Sequence, residues 1–310
     1  MEAGKKFAGY LAVVAAGAGC ALLVVLLERF QVRAAGGAEA LRALLGRIPF
    51  ADAQTAPLLR ALLTGDRSGL GREVTASFRA AGASHLLALS GLHLGFIYAA
   101  ISRILSLPGN FPAVRTARSL LVCALCLGYT LMTGASPSTV RALLFILLRE
   151  ASRLLPGRRL SGGQTLARAL LIQLAIRPAV ALSPGFQLSY LAMLGIFRVY
   201  PRLRDCFPAG ERFNPMRWLW DRAALTLACQ LTTAPLVWLY FRSLPPHFLL
   251  ANLLALPLTE ALLTAAAGCA ALTAAGWCPP AAVRACVNTT AIWISGSVSY
   301  IPAHRSLRRE

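Results

Sequence analysis

The residues whose types and spacing could do chemistry lie together in one short run, GASHLLALSGLHLGF, at residues 82–96. Within this run Ser90 and His93 are three residues apart, and they are the side-chain types that serve as nucleophile and base in serine hydrolases. That chemistry also requires a third group that orients the imidazole and donors for an oxyanion. On a single helix the His93 imidazole points beside the Ser90 hydroxyl rather than at it. We therefore expect no catalytic residue here, and an intramembrane serine hydrolase is the less favoured alternative.

Metal and nucleotide chemistry find no support elsewhere in the sequence. Among the eight cysteines, Cys123 and Cys126 have the spacing of a metal-ligand pair, but no second pair or nearby histidine completes a site. Neither a zinc-protease His-Glu-x-x-His pattern nor a Walker lysine motif occurs. We expect the cysteines to be small packing residues and the protein to hold no metal and no cofactor.

The elements that must position Ser90 and His93 are membrane helices. Hydrophobic residues make up 57% of the 310-residue chain and charged residues 14%, and with the long apolar runs this excludes an ordinary soluble domain. The runs are continuous, whereas the strands of a barrel alternate in polarity over about ten residues. We predict an all-α fold, a polytopic transmembrane helical bundle with about nine spans, broken helices and amphipathic interfacial helices. The predicted spans are 7–27, 86–107, 117–133, 139–155, 166–181, 186–199, 223–241, 248–275 and 281–301.

The charge distribution predicts an orientation and suggests a class of partner. The chain carries 31 Lys and Arg against 12 Asp and Glu, a net charge of +19. Nine spans with a cytoplasmic N-terminus place three arginine-rich loops, among them residues 198–222, on the cytoplasmic side, as the positive-inside rule requires. An electrostatic path for a polyanion is the alternative explanation of the same excess.

The segment before residue 85 is amphipathic. Two sets of apolar residues each share one helical face, Leu41, Leu44, Leu45 and Ile48 in the first and Leu58, Leu59, Leu62 and Leu63 in the second. We expect these helices to lie along the membrane interface, where arginines reach the headgroups. The predicted divisions of the chain are 1–30 as an N-terminal transmembrane helix, 31–84 as the interfacial segment, 85–303 as the membrane core and 304–310 as a short basic tail.

Polar side chains recur at otherwise apolar places in the predicted core. Proline also interrupts several apolar runs, and non-helical backbone at membrane depth is tolerated only where it is buried in protein or lines a wet cavity. On the helix predicted over 86–107, Ser90 and His93 share a polar face, while Gly91 and Gly95 give a small-residue face suited to close packing. An interhelical hydrogen bond is the plain alternative for each polar residue. The candidates for an internal path are Ser90, His93, Arg141, Gln187, Gln230, Asn252 and Glu260.

Five blocks of the sequence, in order, resemble those of a known family. They are ALLTGDRSGLGREVTASFRAAGASHLLALSGLHLGF, TGASPSTVRALL, SPGFQLSYLAMLGIF, QLTTAPLVWLYF and LLANLLALPL. Together they are similar to the ComEC competence family, over a stretch from Leu58 to Ile301. The resemblance implies a channel in the bacterial cytoplasmic (inner) membrane through which one strand of transforming DNA enters the cytoplasm. It also implies the partners, which are single-stranded DNA, the lipid membrane, a DNA receptor and a cytoplasmic translocase ATPase.

The chain departs from that family pattern at both ends. Longer members carry an OB-fold domain near the N-terminus and a metallo-β-lactamase-like domain after the core. The residues between Leu27 and Leu58 are too few for such a barrel, and the four histidines do not form a clustered metal site. We expect a short or truncated member that is not an enzyme, since conduction needs only weak repeated contacts, and any nuclease would be a separate protein.

Basic residues at the two edges of the predicted core complete the candidate set. A single strand needs cationic groups that follow its phosphates and faces on which its bases stack. Trp218 and Trp220 interleave with arginines at the predicted exit, although an aromatic belt beside positive-inside charge explains the same residues and is favoured. A small-solute transporter is a further alternative, but the internal repeats common in such proteins are not evident. The basic candidates are Arg67, Arg72 and Arg79 at the entry and Arg202, Arg204 and Arg217 at the exit.

Overall fold

The computed structural model describes residues 35–87, 90–105, 112–154, 160–207, 214–242 and 248–300, and residues 19, 22, 25 and 244 singly. All regular elements in these ranges are helical, which confirms the all-α class for this part of the chain. The α-helices are α1 (Ala35–Arg47), α2 (Thr55–Thr64), α3 (Arg72–Ala80), α4 (Ser84–Leu87), α5 (Gly91–Ile104), α6 (Pro112–Met132), α7 (Pro137–Leu154), α8 (Gly162–Ile176), α9 (Pro184–Leu194), α10 (Tyr200–Asp205), α11 (Pro215–Phe241), α12 (Phe248–Ala274) and α13 (Ala281–Tyr300). A 3₁₀-helix, Pro178–Leu182, precedes α9, and a π-helix, Gly195–Val199, joins α9 to α10.

The described residues divide between two compact units, and the first is built around α7. This unit contains residues 35–38 and 90–187, and the second contains residues 39–87 and 188–300. One face of α7 joins α5 and α6 in a buried cluster of Leu94, Val122, Cys126, Leu143 and Ile146. Another face of α7 joins α8 in a second cluster of Val140, Leu144, Leu148 and Ala169. A helix that is apolar on more than one face must be enclosed by neighbours, and α7 is enclosed in this way.

In the second unit α12 and α13 pack along one another through small side chains. Ala255 and Ala266 of α12 and Ala291 of α13 are at most 2% exposed, so the two backbones lie close together. The segment before α2 is tied to α13, because Oδ1 of Asn288 accepts from the N–H of Asp52 and from Oγ1 of Thr55, each over 2.9 Å.

The apolar face of α2 is covered by protein. Leu58, Leu59, Leu62 and Leu63 are at most 3% exposed, and α2 contacts α4, α12 and α13. The expectation that this face rests on the membrane interface is therefore corrected for α2. An amphipathic pattern shows that one face must be buried, but it is the same whether lipid or protein covers that face.

Three helices in the described ranges are long and apolar enough to cross a membrane, judged by length and composition: Val114–Met132 within α6, α11 and α12. The expected count of about nine spans is not confirmed. Helices α5 and α8 have 14 and 15 residues. At about 1.5 Å per residue they are shorter than a hydrocarbon layer of about 30 Å. The predicted first span, 7–27, lies outside the described residues except for positions 19, 22 and 25, and the tail 304–310 lies outside them entirely.

Gly195 allows the π-helix to approach α11 at close range. A Cβ placed on Gly195 would lie 2.5 Å from the carbonyl oxygen of Ala228 and 2.6 Å from Oγ1 of Thr232. The Thr232 hydroxyl is itself held, because it donates to the Ala228 carbonyl over 3.1 Å. The Ala228 carbonyl is part of the helix backbone and the Thr232 hydroxyl is hydrogen-bonded to it, so neither group can move aside cheaply. The packing of α11 against the π-helix therefore requires glycine at position 195.

We expect Gly195→Ala to lower the free energy of unfolding by about 1–3 kcal/mol, the usual cost of overpacking a tight contact. The measurement is thermal unfolding of the detergent-purified chain. Gly268→Ala is the matched control, because a Cβ on Gly268, inside α12, meets no heavy atom within 4 Å. Alanine there is favoured by about 0.5–1 kcal/mol in a helix interior, so the control should be neutral or stabilising. Equal unfolding midpoints for the two variants would contradict the close contact at Gly195.

Candidate functional site

The run at residues 82–96 forms two helices. Helix α4 is described as far as Leu87, Ser90 has extended backbone (φ −116°, ψ 162°), and α5 begins at Gly91. The prediction of one continuous span over 86–107, with Ser90 and His93 on a shared helical face, is therefore wrong. Ser90 is the N-cap residue of α5, a position for which serine is strongly preferred. Residues 88 and 89 lie outside the described ranges.

Ser90 and His93 bond to each other across the first turn of α5. The Ser90 N–H donates to Nδ1 of His93 over 3.1 Å, and Oγ of Ser90 lies 3.4 Å from the same nitrogen. His93 is fully buried and takes the part that glutamate or glutamine takes at the third position of a capping box. An Nδ1 that accepts from a backbone N–H carries no proton in that geometry. Because the backbone occupies this lone pair, the geometry favours a helix cap over a general base.

Two substitutions of His93 separate capping from chemistry at the imidazole. His93→Gln keeps an acceptor for the Ser90 N–H, so we expect an unfolding midpoint close to that of the wild type. His93→Ala loses the acceptor, and we expect it to lower the free energy of unfolding by about 1 kcal/mol or more. Thermal unfolding of the purified variants measures both effects. A His93→Gln variant as unstable as His93→Ala would contradict the capping role.

The small-residue face of α5 is in close contact at one of its two glycines. A Cβ on Gly91 would lie 3.0 Å from Cβ of Ala142 and 3.3 Å from the carbonyl oxygen of Ser138, both on α7. A Cβ on Gly95 would meet no heavy atom within 4 Å. The predicted packing face therefore holds for Gly91 against α7 and not for Gly95 among the described residues.

Arg141 and Gln187 bond to the backbone around the 3₁₀-helix of the first unit. Nη2 of Arg141 donates to the carbonyl of Gly185 over 3.1 Å, and Nε2 of Gln187 donates to the carbonyl of Ala181 over 2.7 Å. The Arg141 guanidinium carbon also lies 6.0 Å from the centre of the Phe186 ring. These two path candidates thus stabilise the connection between α8 and α9.

The remaining path candidates, Gln230, Asn252 and Glu260, belong to the second unit. Glu260 forms an ion pair with Arg222, in which Oε2 and Nη1 are 3.5 Å apart. Oδ1 of Asn252 is buried and accepts no hydrogen bond within the described part of the chain. Gln230 is half-buried on α11. The seven predicted candidates are therefore split between the two units, four in the first and three in the second.

The three entry arginines have different surroundings. Nε of Arg67 donates to the carbonyl of Leu87, the last residue of α4, over 2.9 Å. The Arg67 side chain therefore supplies a partner for the Leu87 carbonyl, a few residues before α5. Arg72 and Arg79 are exposed and seven residues apart on α3, so they share one helical face.

The turn that carries Arg67 is fixed by its own hydrogen bonds. The Ser68 hydroxyl and N–H donate to Oδ1 of Asp66 over 2.7 and 3.0 Å. These bonds, together with the charge of the nearby Arg42, lower the pKa of the Asp66 carboxyl. Asp66 is therefore ionised at neutral pH, as the hydrogen bonds of the turn require.

The exit candidates lie on α10 and α11, and Arg204 joins the two helices. Nε of Arg204 lies 3.4 Å from Oδ1 of Asp221, and the Tyr200 hydroxyl donates to the same oxygen over 2.7 Å. Arg202 donates to the carbonyl of Arg198 on its own helical segment. Arg217 is half-buried on the first turn of α11. Of the three predicted exit residues, Arg204 has a carboxylate partner and Arg202 has a backbone partner.

A buried carboxylate that sequence reasoning missed joins three helices of the first unit. Glu150 of α7, whose side chain is 5% exposed, accepts hydrogen bonds from the Tyr98 hydroxyl on α5, from Oγ of Ser119 on α6 over 2.7 Å, and from Nη1 of Arg153 over 2.6 Å. The available signal was the Glu150–Arg153 spacing of three residues, which permits a helical ion pair.

No group of three or more His, Cys, Asp or Glu side chains among the described residues could hold a metal ion.

We expect Tyr98→Phe and Glu150→Gln each to lower the free energy of unfolding by about 1–3 kcal/mol, since each leaves a buried polar partner unmatched. Because the two side chains share one hydrogen bond, their double variant should show a coupling energy of about 0.5–3 kcal/mol. Tyr98→Phe combined with Glu73→Gln, an exposed carboxylate of the second unit, is the control and should be additive to about 0.5 kcal/mol. Additive unfolding energies for Tyr98 and Glu150 would contradict the network.

Comparisons with known proteins show what the part of the chain that carries these candidate residues is similar to. A family model described as Competence protein matches residues 62–307, which include all thirteen predicted site residues. ComE operon protein 3 of Bacillus subtilis (strain 168) is 32% identical over 133 residues, 43% of this chain and 17% of that protein. Competence protein ComA of Neisseria gonorrhoeae is 31% identical over 213 residues, 67% of this chain and 29% of that protein. The chain thus matches less than a third of either relative's length, and no solved structure matches it.

Proposed function

The chain belongs to the competence protein family, and we propose that it forms the membrane core of a channel that admits single-stranded DNA into the cytoplasm during natural transformation. The observation that carries the proposal is the match of the competence family over residues 62–307, which contain every candidate of the path. The core is proposed to conduct without covalent chemistry, since weak repeated contacts suffice.

The interrupted helices support a path through the protein. Helical structure is interrupted at Ser90, which has extended backbone, and changes type at the 3₁₀-helix and at the π-helix. Breaks of this kind at membrane depth occur where backbone is buried in protein or lines a water-filled cavity, and they are common in transport proteins. The side chains of Arg67, Arg141 and Gln187, which bond to backbone carbonyls beside these stretches, keep them in place.

The location and partners follow from the same proposal. The proposal puts the protein in the bacterial cytoplasmic membrane as a multi-pass protein with a cytoplasmic N-terminus, which the arginine-rich loops support. A DNA receptor would deliver the strand, a cytoplasmic translocase ATPase would draw it in, and a separate nuclease would remove the other strand. The Ser90–His93 helix cap gives no support to the alternative of an intramembrane hydrolase.

The exposed arginine pair of α3 tests the DNA-binding part of the proposal. We expect Arg72→Gln combined with Arg79→Gln to weaken binding of a labelled oligothymidylate to the purified chain. Each lost phosphate contact should also make the slope of log affinity against log salt shallower by about 0.7. Arg67→Met is expected to destabilise the fold instead, because it removes the donor to the Leu87 carbonyl.

Arg47→Gln is the matched control, an exposed arginine of the same unit that lies outside the family match. Its oligonucleotide affinity should equal that of the wild type. In cells that lack the gene, the wild-type chain should restore transformation and the double variant should restore less of it at equal membrane abundance. If the wild-type chain showed no salt-sensitive binding of the oligonucleotide, that result would contradict the proposal.

A further inference from the structure

Glu260 is the only charged residue of α12, a helix that is fully within the described ranges. Twelve residues precede it and fourteen follow it in that helix, so it lies about 18 Å from the nearer end at about 1.5 Å per residue. Helix α12 is long and apolar enough to cross a membrane. A carboxylate at that depth does not face hydrocarbon; it faces protein or water.

Arg222 approaches Glu260 from the neighbouring helix, α11, where it lies at the edge of an apolar stretch. It directly precedes the uncharged stretch 223–241 of α11. An arginine at the edge of an apolar stretch ordinarily extends outward to the headgroups. Here Nη1 of Arg222 lies 3.5 Å from Oε2 of Glu260, and the two side chains keep 33% and 43% of their surface exposed. The pair therefore lies partly exposed on the surface of the second unit.

Trp218 adds an aromatic face to this surface. It lies one turn before Arg222 on α11, and the Arg222 guanidinium carbon is 5.2 Å from the centre of its ring. A cation beside an exposed aromatic ring is the combination with which proteins hold single strands, the cation for the phosphate and the ring for the base. Trp218 is 43% exposed and open to such stacking.

The ion pair is weak enough to be exchanged. A guanidinium has five donors in a planar fork, and it binds phosphate or carboxylate best through two parallel hydrogen bonds. The Arg222–Glu260 pair is a single separation of 3.5 Å between partly exposed groups, which contributes little to stability. A phosphodiester in bidentate contact would compete effectively for the same guanidinium.

We propose that Arg222 binds the phosphates of the passing strand and that Glu260 occupies the phosphate position when no strand is present. The proposal rests on the proposed function as a DNA path. In the absence of DNA, the carboxylate neutralises the guanidinium. When a phosphate displaces it, the nearby Glu260 charge repels that phosphate and shortens its stay, and conduction requires such weak binding.

The test measures binding of a labelled oligothymidylate to the detergent-purified full chain at several salt concentrations. Glu260→Gln is expected to bind about fivefold tighter or more, since it removes a like charge about 4 Å from the phosphate position. Its slope of log affinity against log salt should steepen by about 0.7, the share of one further phosphate contact. The double variant Arg222→Gln with Glu260→Gln leaves no unpaired charge, and it should bind more weakly than the wild type.

Asp205→Asn is the matched control, because it makes the same charge change at an exposed carboxylate of α10. It should change affinity by less than the Glu260→Gln variant does. If Glu260→Gln yields no folded protein, Glu260→Asp, which shortens the reach of the carboxylate, is expected to shift the affinity in the same direction.

The outcomes distinguish this proposal from the function on which it rests. Absence of salt-sensitive binding by the wild-type chain would overturn the proposed function itself. Wild-type binding with Glu260→Gln no tighter than Asp205→Asn would overturn the exchange and leave the function standing. A Glu260→Gln variant with a lowered unfolding midpoint and unchanged affinity would likewise overturn it, and would assign the pair to holding α11 against α12.

Discussion

A backbone carbonyl or N–H in apolar surroundings must find a partner, and the interrupted helices of this chain depend on side chains that supply one. Arg67 bonds to the carbonyl of Leu87 in α4, and His93 accepts from the N–H of Ser90 at the start of α5. Arg141 and Gln187 do the same around the 3₁₀-helix. The polar residues that stand out in the sequence are therefore in large part those that make non-helical backbone possible inside an apolar fold.

The helices of this fold could be located from the sequence, because apolar runs fix their places. Helices α6, α7, α12 and α13 begin and end within a few residues of the predicted runs. The effect of proline was less predictable. Pro137 and Pro184 begin α7 and α9, where a missing N–H costs nothing, and Pro235 and Pro257 lie inside α11 and α12 without ending them. The number of spans could not be predicted, since a run of 14 or 15 residues has the same composition whether it crosses a membrane or packs within a bundle.

The candidate residues could be predicted by type, but their partners could not. An arginine in an apolar sequence predicts a cation at the membrane edge or along an internal path. The sequence gives the same prediction for Arg67, which bonds to a carbonyl, and for Arg72, which is exposed. Glu150 was missed because the arginines around it fit the positive-inside rule, and its partners Tyr98 and Ser119 come from helices that only the fold brings together. Long-range contacts of this kind leave no periodic signal in the sequence.

Glu150 of α7 and Glu260 of α12 show how the number of partners separates a fixed carboxylate from an exchangeable one. Glu150 is 5% exposed and has three donors on three helices, so exchanging any one of them leaves the carboxylate held by the others. Glu260 is 43% exposed and has one cation at 3.5 Å. A buried charge with several partners is costly to disturb, whereas an exposed pair contributes little and can re-form with another ion. A path for a polyanion needs exposed, exchangeable charges along its wall, because the wall must release each phosphate. It needs buried carboxylates with several partners behind the wall, because the helices that form the wall must stay in place.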